Sequence, residues 1–323
     1  MLGWFDEEFE RVGGNPTYLR SLADNVGWLP HFNHSHDNLF RDGGAIPPIH
    51  AKASGTNTVL VALTWVKAGV GGQIVVRADS DIRTVANLRG RPIGLYRSLN
   101  RAKVDFRRAT AERQLLLALE IAGVGRNEVN WVDIDDAEAP KYRAAKDPAD
   151  YIAQGRAFDK ARDDERAALA SGKVDAIYAS GGRTAKLIAG GEFVAIEDLS
   201  RYPDWRLHIA NSPFATTVNR DFAERHPEVV VAWLRSAARA GRWVNDNTAA
   251  AAELFGRVLQ GGDGGSLAAQ IAQTDFVPSL ASADLAALAE QKRFLRAEGY
   301  IERDFDVSDW ADSRYLRDAI SSL

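Results

Sequence analysis

The sequence predicts an α/β protein of two lobes, and three observations carry that expectation. The chain has 323 residues, 46% of them hydrophobic, and single cores stop growing near ~250–300 residues, so two cores are expected. Short apolar runs alternate with helix-periodic segments through the first two thirds, the pattern of a sheet of parallel strands covered by helices. Beyond Pro227 the pattern is almost wholly helical, so the last third returns to complete the first lobe and the chain passes between lobes twice. The expected division is 1–78 with 206–323 for lobe 1 and 79–205 for lobe 2. A ligand cleft between the lobes is expected, because ligands of open α/β sheets sit beyond the carboxyl ends of the strands.

The elements follow in order. Leu2, Phe5, Phe9 and Val12 recur at helical spacing among Asp6, Glu7, Glu8 and Glu10 and stop at Gly13-Gly14, an acidic amphipathic helix. Strands are expected over Thr56–Trp65, Gln73–Arg77 and Pro92–Tyr96, the last two separated by a turn at Asp79-Ser80 and a short helix within Val85–Gly90. A helix over Ala109–Ile121, closed by Gly123, leads to a strand at Val129–Ile134. The stretch Lys141–Ala170 is densely charged with both signs, which suits a solvent-facing helix or excursion. Strands at Lys173–Ala179 and Glu192–Ile196 flank a Ser180-Gly181-Gly182 turn, and Phe214–Asn219 is the last strand. Pro227 then opens a long helix with Val230, Leu234, Ala237, Gly241 and Val244 on one face. Further helices are expected at Thr248–Leu259, Ser282–Glu298 and Ser308–Ile320, with a glycine-rich break at 261–265.

Composition excludes several functions. Charged residues make up 26% of the chain with a net charge of −4, so no basic field exists to hold a nucleic acid or an anionic membrane. No apolar run approaches the ~18 residues of a membrane span. The chain has no cysteine, which rules out disulfides, thiolate metal sites and a cysteine nucleophile within it. Met1 is followed by an amphipathic pattern with no signal-like apolar core, a cytoplasmic reading of the chain as written.

The segment from His31 to Pro48 concentrates the chemistry. Arg41 offers a planar fork of donors, Gly43 and Gly44 let backbone N–H groups close on a ligand, and His31 donates or shuttles a proton. Together they make an oxyanion pocket for a small organic anion. His31, His34, His36 and Asp37 have the look of a metal cluster, but their spacing fits no helical zinc motif, so no metal and no cofactor are assigned. Ser98, Asn100 and Arg101 lie between a strand and a helix, where a helix N-terminus meets an anion or where Ser98 or Asn100 simply caps. Trp65 ends a strand aimed at the cleft and is a pocket candidate, whereas Trp131, Trp205, Trp233, Trp243 and Trp310 are expected in cores or in the packing between lobes.

These stretches together resemble the type II periplasmic-binding-protein-like family, in its branch of sulfonate-binding and thiamine-precursor synthase-like proteins. Within that branch the chain resembles in particular the hydroxybiphenyl sulfinate desulfinases and related transporter substrate-binding proteins. The residues that carry the likeness are His31-Phe32, Arg41-x-Gly43-Gly44-x-Ile46-Pro47-Pro48, Ala78-Asp79-Ser80, Leu88-Arg89-Gly90-Arg91-Pro92-Ile93-Gly94, Ala170-Ser171-Gly172-Lys173-Val174-Asp175-Ala176 and Phe294-Leu295. The resemblance implies that His31, Arg41 and Gly44 surround the anionic head. It also implies, for a desulfinase, an essential cysteine on a strand ahead of the first helix. Met1 to Phe5 already match that helix, so roughly 20 further residues carrying such a strand are expected ahead of Met1. Ser180 and Gly181, with Gly182 and Arg183, stand where the desulfinase is bulky over its biaryl ligand, which implies a wider pocket. Three roles are compatible with this reading: a solute-binding protein for a sulfonate, sulfinate or carboxylate, serving an ABC permease if an upstream segment exports it to the periplasm or cell surface; a cofactor-free desulfinase in which His31 and Arg41 support the missing cysteine; or a cytoplasmic sensor.

Overall fold

The computed structural model describes residues 3–22, 28–64, 72–136, 164–259, 268 and 271–323. In chain order the elements are α1 (Trp4–Glu10), α2 (Leu29–Asn33), α3 (Ile46–Ala53), β1 (Thr58–Thr64), β2 (Gln73–Arg77), β3 (Pro92–Arg97), α4 (Phe106–Ile121), β4 (Asn130–Asp135), α5 (Asp164–Ala170), β5 (Ala176–Ala179), α6 (Gly181–Ile188), β6 (Phe193–Asp198), β7 (Phe214–Asn219), α7 (Arg220–Arg225), α8 (Pro227–Asp246), α9 (Thr248–Leu259), α10 (Ser282–Ala297), α11 (Val307–Trp310) and α12 (Arg314–Ser321). They form two compact units. One takes the described residues up to Ala68 and again from Asn211; the other takes those between.

In the first unit β1 is buried along nearly its whole length, so it reads as a continuous apolar run with no alternation. It pairs antiparallel with β7 from Thr58↔Asn219 to Thr64↔Phe214, with an irregularity between Leu60 and Ala62. Isolated bridges extend the pair: Arg41↔Thr217 and Gly44↔Phe214 on β7, Leu63↔Ser279 and Leu60↔Ala311 on β1. Against β1 and β7, α8 buries Val230 and Leu234 in a cluster with Val59, Val61 and Val218. A Cβ at Gly241 would stand 2.4 Å from the Phe276 carbonyl oxygen, which is why this face carries a glycine. Glu8 of α1 is 2% exposed and accepts from Arg235 Nε at 2.9 Å and Arg239 Nη1 at 2.7 Å, tying α1 to α8.

The second unit holds a five-stranded sheet in the order β4-β3-β5-β2-β6. β3 runs parallel to β4 and β5, while β2 is antiparallel to β5 and β6, so the sheet is mixed. Hydrophobic periodicity carries no strand direction, which is why the expectation of a parallel sheet holds only for part of it. The strand Gln73–Arg77, placed in lobe 1 by the 1–78 boundary, lies inside this sheet. Ile74, Val76, Ile93 and Leu95 pack with Leu115 and Leu119 of α4. A Cβ on Gly94 of β3 would meet Ile134 Cδ1 at 2.7 Å, so the centre of the sheet has no space for a side chain there.

Several local expectations are corrected. The segment Ser308–Ile320 is two helices, because Ala311 bridges Leu60 and the Asp312 N–H donates to the Leu60 carbonyl at 2.9 Å. The Ser180-Gly181-Gly182 turn is the start of α6. Trp205 is 48% exposed, whereas Trp310 is fully buried. Of Lys141–Ala170 only α5 is described and is helical; the rest of that stretch, Trp65 and the glycines at 261–265 lie outside the described residues. No described helix is long and apolar enough to cross a membrane.

Candidate functional site

The residues His31, Arg41, Gly43 and Gly44 come together in the first unit. α2, which carries His31, is only five residues long and is bounded by Trp28 at φ +71° and His34 at φ +55°. These are the non-glycine residues with positive φ among the described ones, a conformation that costs about 1–3 kcal/mol each and that clusters at binding sites. The tight helix sets the imidazole between two rings. The Trp28 indole stacks on it at 4.6 Å with 8° between planes, and Phe32 meets it edge-on at 5.3 Å.

Arg41 is 1% exposed. Its backbone pairs with Thr217 in both directions at 2.9 Å, fixing it alongside β7. The guanidinium donates from Nε to the His31 carbonyl at 3.3 Å, and from Nη1 to the carbonyls of Gly43 at 2.8 Å and Ala215 at 3.4 Å. Nη2 donates to His31 Nε2 at 3.1 Å. Arginine has no acceptor, so this last bond requires the imidazole tautomer with its proton on Nδ1. Four of the five N–H groups of a guanidinium are thereby engaged, leaving a single Nη2–H. Arg41 therefore presents no free two-pronged fork; it is a fixed cation in a cage of carbonyl dipoles. Burial pushes its pKa down to about 9, a shift opposed by the charge of Asp42, and the group stays protonated at neutral pH. Among the described residues no carboxylate forms an ion pair with it.

The two glycines have separate reasons. Gly43 has φ +141°, and its missing Cβ would lie 3.6 Å from His31 Cε1 and 3.7 Å from Arg41 Nη2. Gly44 is buried against the side chain of Asn211, whose Nδ2 would stand 2.3 Å from a Cβ. Asn211 was not legible from sequence. Its carbonyl accepts from the Ala45 N–H at 3.0 Å and its Oδ1 from the Ile46 N–H at 3.1 Å, so it caps α3 from 165 positions away. Pro47 and Pro48 have no N–H to satisfy. The amides of Gly43 and Gly44 donate to no acceptor among the described residues.

His34 is the second buried imidazole. It is 4% exposed, its Nε2 lies 2.7 Å from Thr217 Oγ1, and its Nδ1 has no partner among the described residues. Burial, aided by the charge of Arg41, pushes its pKa down to about 4. No group of three or more His, Asp or Glu residues is placed to hold a metal ion among the described residues.

The other candidates belong to the second unit. Ser98 donates its N–H to Asp105 Oδ2 at 2.6 Å, and Asp105 also accepts from the Arg108 N–H at 3.1 Å. The cap of α4 is thus Asp105, and its carboxylate already occupies the helix N-terminus that Ser98 or Asn100 was expected to serve. Asn100 closes a local turn through the Ala102 N–H at 3.0 Å, and Arg101 is exposed. Ser180 is exposed and precedes α6, which starts at Gly181, with no side-chain capping bond.

The mixed sheet, the two units and a caged arginine beside a glycine pair place the chain in a known class: it is an α/β protein with the periplasmic-binding-protein fold. Within that class it is similar to 2'-hydroxybiphenyl-2-sulfinate desulfinase of Rhodococcus erythropolis, with 26% identity over 314 residues, 90% of this chain and 83% of the relative. A mutant of the desulfurization enzyme DszB in complex with biphenyl-2-sulfinic acid superposes with TM-score 0.75 and 25% identity, covering 99% of this chain and 94% of that one. The alkanesulfonate-binding protein SsuA from Xanthomonas axonopodis pv. citri, bound to MOPS, gives TM-score 0.63 at 17% identity over 96% and 91% of the two chains. No family model matches. The likeness to desulfinases and sulfonate-binding proteins read from the sequence is borne out.

Proposed function

We propose that the first unit binds a small organic oxyanion, a sulfonate, sulfinate or carboxylate, through Arg41, His31, Gly43 and Gly44. The observation that carries this reading is a fully buried cation with no ion-pairing carboxylate among the described residues, next to two unengaged glycine amides. Burying an unpaired charge is costly, and an anionic head group offsets that cost while its oxygens take the free amides. The Nη2–H of Arg41 completes the contact. The His31 bond keeps that guanidinium in place.

Solute binding is the preferred role, because a caged guanidinium beside two unengaged glycine amides is a set of donors that holds an anion, and holding it is all that this role requires. In partnership with an ABC permease such a binder works outside the cytoplasm, and cell fractionation reports where it sits. The likeness to DszB supports the second reading, desulfination. Calorimetry with benzenesulfonate, benzenesulfinate and benzoate, together with sulfite release from biphenyl-2-sulfinic acid, decides between the two. One anion bound per chain without sulfite supports the binder; sulfite at a steady rate supports the desulfinase; no binding and no sulfite reject both.

A further inference from the structure

We propose that Asn211 is a specificity-determining ligand of the anion, its side-chain amide supplying donors beside those of Gly43 and Gly44; this rests on the anion-site reading above. The orientation of the amide is set by the structure. Oδ1 accepts from the Ile46 N–H at 3.1 Å, and that bond leaves Nδ2 as the free end. Nδ2 packs on Gly44, 2.3 Å from where a Cβ would be, so no residue other than glycine lets the amide approach the backbone this closely. Among the described residues Nδ2 has no acceptor. The Gly43-Gly44 pair therefore has Arg41 and His31 on one side and an unspent amide on the other.

The nearest carboxylate in sequence does not oppose this. Asp42 accepts from Thr216 Oγ1 at 2.7 Å, while Arg41 pairs with Thr217, and successive residues of a strand face opposite sides. The donor set around the Gly43-Gly44 pair is thus two backbone amides, one guanidinium N–H and one carboxamide. Such a set suits an oxyanion with several acceptor oxygens and rejects a ligand that must donate.

Asn211→Asp tests the assignment. Aspartate keeps an oxygen for the Ile46 N–H and favours the N-terminus of α3, so the fold is retained. It replaces the donors with a negative charge. Calorimetry with benzenesulfonate at pH 7 is expected to show at least tenfold weaker binding than wild type with an unchanged or higher Tm, and the ratio to wild type narrows as the pH falls and the new carboxyl protonates. A merely structural role for Asn211 moves neither. Affinity of Asn211→Asp within twofold of wild type overturns the proposal, and Asn211→Ser, judged by the same twofold criterion, replaces it should the aspartate variant fail to fold. Arg41→Lys is the control for the parent reading. Binding lost in Arg41→Lys but kept in Asn211→Asp removes Asn211 alone, whereas a wild type that binds none of benzenesulfonate, benzenesulfinate and benzoate removes the anion site and this inference with it.

Discussion

Arg41 is held by carbonyls as much as it holds a ligand, so its removal has two separable effects. Arg41→Ala is expected to weaken anion binding by about 1.5–3 kcal/mol, the scale of a charge-assisted contact. It also takes a donor from the carbonyls of His31, Gly43 and Ala215, of which Gly43 keeps the Ala215 N–H at 2.8 Å, and lowers stability by about 1–3 kcal/mol. Calorimetry at a temperature where the variant remains folded, set beside urea unfolding, separates the two; unchanged affinity for every anion would remove Arg41 from the site. His34 makes a second prediction. Its folded pKa of about 4 lies below the ordinary 6.5, so both states are neutral at pH 7 and the unfolded chain takes the proton first as the pH falls. Stability is therefore full above about pH 6.5 and is lost towards pH 4, at about 1.4 kcal/mol per pH unit. His34→Asn tolerates the left-handed backbone and is expected to shrink the difference in unfolding free energy between pH 7 and pH 5 by about 2 kcal/mol. An undiminished acid sensitivity in that variant would assign the effect to other groups. The sequence exposed His31, Arg41, Gly43 and Gly44 because they sit within fourteen positions of one another. It hid Asn211 and Thr217, which reach the same place only through the pairing of β7, and it hid the carbonyl cage, because backbone acceptors leave no trace in residue identity.

Among the elements, α1 shows how a short helix is retained. Seven residues are too few to be helical alone; burial of Phe9, the Arg239 guanidinium over the Trp4 ring and the ion pairs of Glu8 hold it to the unit. Burial pushes the Glu8 carboxyl up, yet hydrogen bonds from Arg239 and Arg235 prevail and leave it below its ordinary value. Glu8→Ala is expected to cost about 2–3 kcal/mol, less than a fully buried pair, because Arg235 and Arg239 stay 18% and 25% exposed and rehydrate. Hydrogen exchange should show α1 opening ahead of α8 while anion affinity is unchanged; loss of both together would mean that α1 supports the site. Element type was readable wherever the pattern was long, as in α8, whose Val230, Leu234, Gly241 and Val244 are buried as the spacing required while Ala237 is only half-buried. It was least readable where tertiary contacts cut a helix, as Leu60 does between α11 and α12.

At the scale of the molecule, each unit has its own core: β1, β7 and α8 in one, the five-stranded sheet and α4 in the other. Length and alternation were enough to foresee two cores, because both follow from how much apolar surface one core can cover. The direction of β2 was not foreseen, since an apolar strand has the same pattern read either way. Two cores also make ligand linkage informative about location. A ligand at 100 times its Kd stabilises the state that binds it by about 2.7 kcal/mol, and that gain reaches only the amides whose opening breaks the site. Arg41 and Gly44 pair with β7, and β7 with β1. Saturating benzenesulfonate is therefore expected to slow exchange of the β1, β7 and α3 amides by up to a hundredfold, read by mass spectrometry of exchange-labelled peptides. The same experiment on Arg41→Ala should show no slowing, and protection rising in β3 to β5 alone would place the ligand away from Arg41 altogether.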